Sequence, residues 1–202
     1  KLDTGNNLNN IGTVFSIKGD NDKALDYEER ALIIFEKIGD KKGIGMSLTS
    51  LGISCHNKGE YDKALDYQER AFALCEDIGD KLGMAFILNS IGFVYADKGA
   101  YDKALNYLEK TLSIQKEIGF KGLELYTISY LYLTYKHLGK KYDENEIYTL
   151  IKKETENIEF EINYAIYQLL EDKSYLETAY NQVQEKAGNL EPDEAAKFLS
   201  YP

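Results

Sequence analysis

Apolar side chains between residues 41 and 80 recur at intervals of three and four, the spacing that places them on one face of an α-helix. The first face consists of Ile44, Leu48, Leu51 and Cys55. Gly59 follows it and is typical of the glycine that ends a helix. A second face ends at Gly79, and Asp80 stands where the capping residue of a further helix is expected. The short turns between these helices predict antiparallel neighbours.

The same block occurs three times in the chain, at a constant offset of 40 residues. The copies begin at Lys18, Lys58 and Lys98. Small residues return in register at Gly12, Gly52 and Gly92, at Ala24, Ala64 and Ala104, and at Gly39, Gly79 and Gly119. A fixed period in this range is typical of a solenoid, in which each helix pair buries its apolar face against its neighbours. The pattern predicts an all-α protein that presents a long surface for binding.

Small residues at matched positions predict a close crossing of the two helices of each pair. We expect Gly52 and Ala64 at this crossing, because a larger side chain would push the helix axes apart. In a fourth unit, with its first helix over Lys121–His137 and its second over Lys141–Lys153, Tyr132 stands in place of the glycine. We therefore expect Tyr132 to splay that helix pair.

Composition and charge narrow the class of partner. The chain has 202 residues, of which 44% are hydrophobic and 29% charged, as in folded soluble proteins. Its two prolines, Pro192 and Pro202, leave the preceding chain free of helix breakers. A net charge of −10 argues against nucleic acid as a partner and favours neutral or basic proteins. The sequence predicts no membrane segment and no signal peptide, and we expect a cytoplasmic fragment of a longer protein.

Residues that usually carry catalysis or bind metal are sparse. The two histidines, His56 and His137, are far apart in sequence, and no catalytic motif or phosphate-binding loop is present. Cys55 and Cys75 lack metal-ligand spacing and are interpreted as small buried apolar residues. The sequence therefore predicts neither an enzyme nor a cofactor or metal site.

The run Leu51-Gly52…Lys58-Gly59-x-Tyr61-x-x-Ala64-Leu65…Ala71 resembles the tetratricopeptide repeat. That family has small residues at the eighth and twentieth positions of the unit and an aromatic residue at the seventeenth. Asn21 departs from the pattern in the first unit. The usual unit has about 34 residues, and the longer form here, with its Ile-Gly-Asp-Lys insertion, is similar to the repeats of the Pins/LGN adaptors, of kinesin light chain and of bacterial signalling proteins. The resemblance implies a right-handed α-solenoid of antiparallel helix pairs.

The resemblance covers residues 6–138 and weakens beyond them. We expect residues 1–140 to form three units and the first helix of a fourth. Residues 141–202 are expected to continue the same solenoid as degenerate and capping helices over 156–170, 173–187 and Asp193–Leu199. Terminal units of a solenoid are usually atypical, because they cover its last apolar face.

In the family, the first helix of each unit lines a concave groove, and the resemblance implies a peptide-binding groove at the matched positions. These are Asn6, Asn9, Thr13, Met46, Thr49, Ile53, His56, Phe86, Asn89, Phe93, Tyr126, Ser129 and Leu133. The asparagines among them can donate to and accept from a peptide backbone, and the large apolar residues can anchor its side chains. The alternative is a generic solvated face, although such a face would not repeat large apolar residues.

Three hypotheses of function follow. The first is a protein-interaction scaffold that binds a peptide or partner segment in the groove. The second is a regulatory sensor module of a larger signalling protein, with an attached kinase, cyclase or DNA-binding domain. The third is weak self-association of an otherwise monomeric chain through exposed solenoid ends, such as Ile11 and Phe15. The family's clamp for C-terminal carboxylates is not expected, because Lys136 is the one basic residue at a groove position.

Overall fold

The computed structural model describes residues 1–153, 158, 160–188 and 192. Within these residues every regular element is an α-helix. The helices are α1 (Leu2–Ile17), α2 (Asn21–Ile38), α3 (Lys41–Asn57), α4 (Tyr61–Ile78), α5 (Lys81–Asp97), α6 (Tyr101–Ile118), α7 (Glu124–His137), α8 (Glu144–Lys153), α9 (Phe160–Leu170) and α10 (Lys173–Gly188). The all-α prediction is confirmed, and the helix expected at Asp193–Leu199 lies outside the described residues.

The helices group into two compact units. The first is built mainly from Lys1–Ser90 and the second is Ile91–Lys186, so that α5 contributes residues to both. None of the helices in the described ranges is both long enough and apolar enough to cross a membrane.

Helix ends lie where the small and capping residues of the repeat predict them. Gly79 ends α4 in the left-handed conformation, with φ 72°, which a glycine adopts without strain. The carboxylate of Asp80 then accepts a hydrogen bond of 2.9 Å from the backbone N–H of Gly83 and caps the start of α5. In the fourth unit Phe120 replaces this aspartate, and α7 begins at Glu124 rather than at the predicted Lys121. A phenyl ring cannot accept a hydrogen bond from the helix N–H groups as the Asp80 carboxylate does.

The glycine of each first helix contacts the second helix closely. An added Cβ at Gly52 would lie 2.6 Å from Nε2 of Gln68, and one at Gly92 would lie 2.8 Å from the Leu108 side chain. The predicted close crossing is therefore confirmed, but the side chain that meets Gly52 belongs to Gln68 rather than to Ala64. Ala64 is nevertheless fully buried.

Tyr132 holds the glycine position of the fourth unit and is buried, with 9% of its surface exposed. Its hydroxyl donates a hydrogen bond to the carboxylate of Glu146 on α8. Its ring packs against Tyr142, with centroids 5.5 Å apart. Contacts between α7 and α8 therefore run through a tyrosine instead of through close backbone approach, and the predicted splay of this pair stays a prediction.

A carboxyl group is buried between the first three helices. Glu28 of α2 is 1% exposed and lies against Gly12 of α1. The hydroxyl of Ser54 donates to one of its oxygens at 3.2 Å, and the other oxygen has no hydrogen-bond partner among the described residues. Burial raises the pKa of Glu28 to about 7, although the Ser54 hydrogen bond lowers it in part. The register positions of the next two units hold uncharged Gln68 and Leu108.

We expect Glu28 to make the stability of the chain depend on pH. Its folded-state pKa lies above the unfolded value, so the free energy of unfolding falls as pH rises from about 4.5 to 7, by on the order of 3 kcal/mol. Glu28→Gln should remove this loss and raise the free energy of unfolding at pH 8. Urea unfolding of both proteins at pH 5 and pH 8, followed by circular dichroism, measures the effect.

The matched control for that experiment is Glu29→Gln, which neutralises the exposed neighbouring carboxylate. It should leave the pH dependence of the wild type in place. A Glu28→Gln protein that loses as much stability between pH 5 and pH 8 as the wild type would contradict the assignment.

We expect two alanine substitutions within α3 to have opposite effects. Gly52→Ala forces a methyl group against Gln68 and should lower the free energy of unfolding by about 1–3 kcal/mol. Gly45→Ala meets nothing within 4 Å and should raise it by up to about 1 kcal/mol through helix propensity. Urea unfolding compares the two proteins, and equal stabilities would rule out a steric role for Gly52.

Candidate functional site

The compact unit built mainly from Lys1–Ser90 contains a cavity of about 350 Å³. Residues of α1, α3 and α5 line it, together with the last turn of α4. Five of the predicted groove residues lie in its wall, and they are Asn9, Thr13, Met46, Thr49 and Phe86. The structure therefore brings part of the predicted set together in one concave site.

Large apolar side chains form one part of the wall. Met46 of α3, Ile78 of α4 and Phe86 of α5 are 45%, 42% and 41% exposed, respectively. Met46 and Phe86 hold the same position in successive units. Leu74 and Cys75 complete this apolar part of the wall from α4. The cavity thus offers apolar surface that a ligand side chain can cover.

The polar part of the wall contains an amide with unused hydrogen-bonding capacity. Asn9 is 5% exposed, and its Nδ2 donates to Oγ of Ser50 at 3.4 Å. Its Oδ1 has no hydrogen-bond partner among the described residues. The hydroxyls of Thr13 and Thr49 instead donate to carbonyls of their own helices, at 3.0 Å and 2.9 Å. Asn9 therefore supplies the one buried acceptor of the wall that lacks a donor in the described chain.

Charged groups at the start of α3 and α5 complete the wall. The ammonium group of Lys41 forms an ion pair with Asp77 near the end of α4, and Lys42 lies beside it in sequence. Asp80 is engaged in capping α5. The cavity therefore combines apolar surface and an asparagine with both positive and negative charge.

Four predicted residues of the compact unit Lys1–Ser90 do not line this cavity. Asn6 is half-buried, and Ile53 is 40% exposed on α3. The ring of His56 tilts against that of Tyr61, with centroids 5.8 Å apart. Asn89 is 5% exposed, and its Oδ1 has no hydrogen-bond partner in the described ranges.

The remaining predicted residues lie in the compact unit Ile91–Lys186. Phe93 stacks on Tyr130 with ring centroids 3.8 Å apart. Ser129 is fully buried, and its hydroxyl has no hydrogen-bond partner in the described part of the chain. Tyr126 and Leu133 are half-buried. Ser129 thus lies inside the packing of this unit, not on an open surface.

The sequence reasoning missed the contribution of α4. It placed the groove on the first helix of each unit, whereas Leu74, Ile78 and Asp80 also line the cavity. The Ile-Gly-Asp-Lys insertion is the signal that could have indicated this, because the longer repeat carries it between α4 and α5. Side chains at that junction reach the wall from the end of a second helix.

Lys136 is engaged within the second unit. Its ammonium group donates to the carbonyl of Gln168 at 2.7 Å and to the carboxylate of Glu171 at 3.1 Å. It therefore satisfies the C-terminal end of α9, where Glu171 itself adopts a left-handed φ of 56°. The one basic residue that resembled a carboxylate clamp thus has a structural role.

The two cysteines are buried and unpaired, as the sequence predicted. Burial, with a smaller contribution from the Glu60 carboxylate, raises the pKa of the Cys55 thiol to about 11. A thiol that stays protonated at neutral pH is a poor nucleophile. Cys75 contributes apolar surface to the cavity.

Comparison with known proteins matches part of this chain to a repeat family and most of the chain to a known fold. Residues 43–117 match the family model of the tetratricopeptide repeat, whereas no curated protein matches the sequence. The apo form of RapI superposes with a TM-score of 0.69 at 13% identity, over 93% of this chain and 71% of its own. For the Rap conjugation gene regulator of plasmid pLS20, in complex with the Phr* peptide, the TM-score is 0.66 at 16% identity, over 96% and 53%.

A third structure is a Podosopora anserina putative kinesin light chain with nearly identical TPR-like repeats. It superposes with a TM-score of 0.60 at 16% identity, over 90% of this chain and 93% of its own. At these identities the likeness establishes the fold alone, and the closer likeness to Pins/LGN adaptors stays a prediction. Residues 43–117 therefore belong to the tetratricopeptide repeat family, and most of the chain shares the all-helical fold of these solved structures.

Proposed function

We propose that this chain is a protein-interaction scaffold that binds a peptide segment, and that the cavity of the first unit anchors one of its apolar side chains. The observation that carries the proposal is the cavity itself. Half-exposed Met46 and Phe86 stand in it beside the buried amide of Asn9. Neither a catalytic mechanism nor a cofactor is part of the proposal.

The chemistry of the wall suits a peptide. An apolar side chain placed against Met46, Ile78 and Phe86 would remove exposed apolar surface from water, which is favourable by about 25 cal/mol per Å². A backbone N–H of the same segment can donate to Oδ1 of Asn9, which lacks a donor in the described chain. A buried acceptor without a donor is costly, so an N–H placed at this oxygen would contribute to affinity.

The fold relatives give independent support. One is a conjugation gene regulator solved with the Phr* peptide, and another is a Rap protein complexed with competence and sporulation factor. The chain spans 53% and 62% of their respective lengths. The first of these relatives was solved with a bound peptide, and the transfer of that role to this chain is part of the proposal.

The same relatives favour the second candidate function, a sensor module within a larger signalling protein. In that case peptide binding would regulate an attached domain instead of bridging two proteins. Both candidates use the same cavity, and the cytoplasmic location stays a prediction.

A selection from a random peptide library, displayed against the full chain, tests the proposal. We expect the enriched peptides to carry a large apolar residue flanked by uncharged residues. Met46→Ala and Phe86→Ala should each weaken their binding about tenfold or more, because each truncation removes an apolar anchor worth more than about 1.4 kcal/mol. Calorimetric titration of synthetic peptides measures the effect.

The control is Ile33→Ala, which truncates an exposed apolar side chain on α2 outside the cavity. It should leave peptide affinity unchanged. Thermal unfolding of all variants verifies that they fold. Selected peptides that bind Met46→Ala and Phe86→Ala as tightly as the wild type would show that the cavity is not the binding site.

A further inference from the structure

The compact unit Ile91–Lys186 contains another cavity, of about 410 Å³, between the end of α6, one face of α7 along most of its length and the first turn of α8. We propose that it binds a small uncharged aromatic molecule that carries one hydrogen-bond donor. The inference goes beyond the peptide-binding proposal and does not rest on it.

This cavity coincides with departures from the repeat pattern. Phe120 stands where the earlier units have capping aspartates, and Tyr132 stands where they have glycine. Both residues line the cavity. The helix that follows also starts late, because α4 and α6 begin at Tyr61 and Tyr101, whereas α8 begins at Glu144 rather than at the matching Lys141. The repeat is therefore altered at the positions that form this wall.

The wall favours an aromatic ligand. Leu112, Ile128 and Leu131 provide aliphatic surface, and Phe120, Tyr132 and Tyr135 add three rings. Rings pack against one another in stacked or edge-to-face geometry, which stabilises a bound ring by more than its buried area alone. A volume of this size lies in the range typical of small-molecule sites.

One acceptor in the wall, the side-chain oxygen of Gln115, lacks a hydrogen-bond donor in the described chain. Gln115 is 3% exposed, and its Nε2 donates to Oγ1 of Thr127 at 3.1 Å. The single hydroxyl proton of Thr127 is donated to the carbonyl of Leu123 at 3.0 Å, so Thr127 can only accept from Gln115. The amide orientation follows, and Oε1 of Gln115 is left without a partner in the described chain.

Charges around the cavity do not select a charged ligand. Lys116 and Lys121 are matched by Glu124 and Glu146 in the wall. The carboxylate of Glu146 also accepts the Tyr132 hydroxyl hydrogen bond. A neutral ligand needs no counter-ion and loses little hydration on entering an apolar site.

The cavity also favours a free molecule over a peptide side chain. Among the polar atoms of its wall, Gln115 Oε1 is the buried one that lacks a partner in the described chain. A peptide would bring additional amide groups that this wall leaves unpaired, at a cost in affinity.

The site is separate from the predicted groove positions of the same helix. Ile128, Leu131 and Tyr135 of α7 line the cavity, whereas the predicted groove residues of α7 are Tyr126, Ser129 and Leu133. At 100° per residue these two sets lie on different faces of the helix. Failure of either proposal therefore leaves the other standing.

Indole is the probe for this site, because it is a neutral ring system with one N–H donor. The chain contains no tryptophan, so fluorescence excited outside the tyrosine absorption reports the probe alone. We expect a blue shift and saturable binding at millimolar concentration or below. Benzofuran has the same shape without the donor, and it should compete about 3- to 10-fold more weakly, the factor expected for one hydrogen bond.

Gln115→Leu should remove the preference for indole over benzofuran while keeping the cavity volume. Leu112→Phe places in the wall the residue that Phe72 provides in the second repeat, and it should weaken both compounds by filling the space. The matched control is Gln68→Leu, which changes another buried glutamine that does not line this cavity. It should leave indole binding unchanged.

Four outcomes would overturn the proposal. They are no indole binding at millimolar concentration, equal affinity for indole and benzofuran, unchanged binding to folded Leu112→Phe, and tighter binding of N-acetyltryptophanamide than of indole. The last result would assign the site to a peptide side chain. Thermal unfolding of each variant verifies folding.

Discussion

Close approach between the paired helices is the constraint on which the repeat depends. At Gly12, Gly52 and Gly92 even one methyl group would collide with the side chain facing it on the next helix. The facing residue is free to vary, and it is glutamate in the first unit, glutamine in the second and leucine in the third. Because the glycine brings the helices so close, that facing side chain is sealed from water, whatever its polarity. The buried carboxyl of Glu28 is the clearest consequence.

The same constraint explains where the pattern ends. Tyr132 cannot reproduce the close contact of a glycine, and the fourth pair relies on a hydroxyl–carboxylate hydrogen bond and on ring packing. Phe120 replaces the aspartate of the earlier repeats, and α7 begins at Glu124. Both changed residues line the cavity of the compact unit Ile91–Lys186. The cavity that we propose to bind a small aromatic molecule therefore lies where the repeat departs from its regular pattern.

The candidate peptide site shows which parts of a binding site a repeat pattern can predict. Positions counted from the glycines predicted Met46 and Phe86, and the structure places both in the wall of the first cavity. Counting could not indicate that Asn89 and Ser129 are buried, because burial depends on how neighbouring side chains pack. It also could not bring Leu74 and Ile78 to the site, since these residues belong to the second helix of a unit. Lys136 is a similar case, because its carbonyl and carboxylate partners lie far along the chain, on and just after α9.

The sequence by itself determined the helices, their antiparallel pairing and the close contact at each glycine. These features follow from local spacing, from capping residues and from side-chain size, and they recur with the period of 40 residues. Only the tertiary structure decided which polar atoms are left without partners and where cavities open. Those properties depend on the sum of many side-chain volumes and hydrogen bonds contributed by separate helices. A one-dimensional repeat pattern records which residues are equivalent, whereas the packing around each one decides what that residue can do.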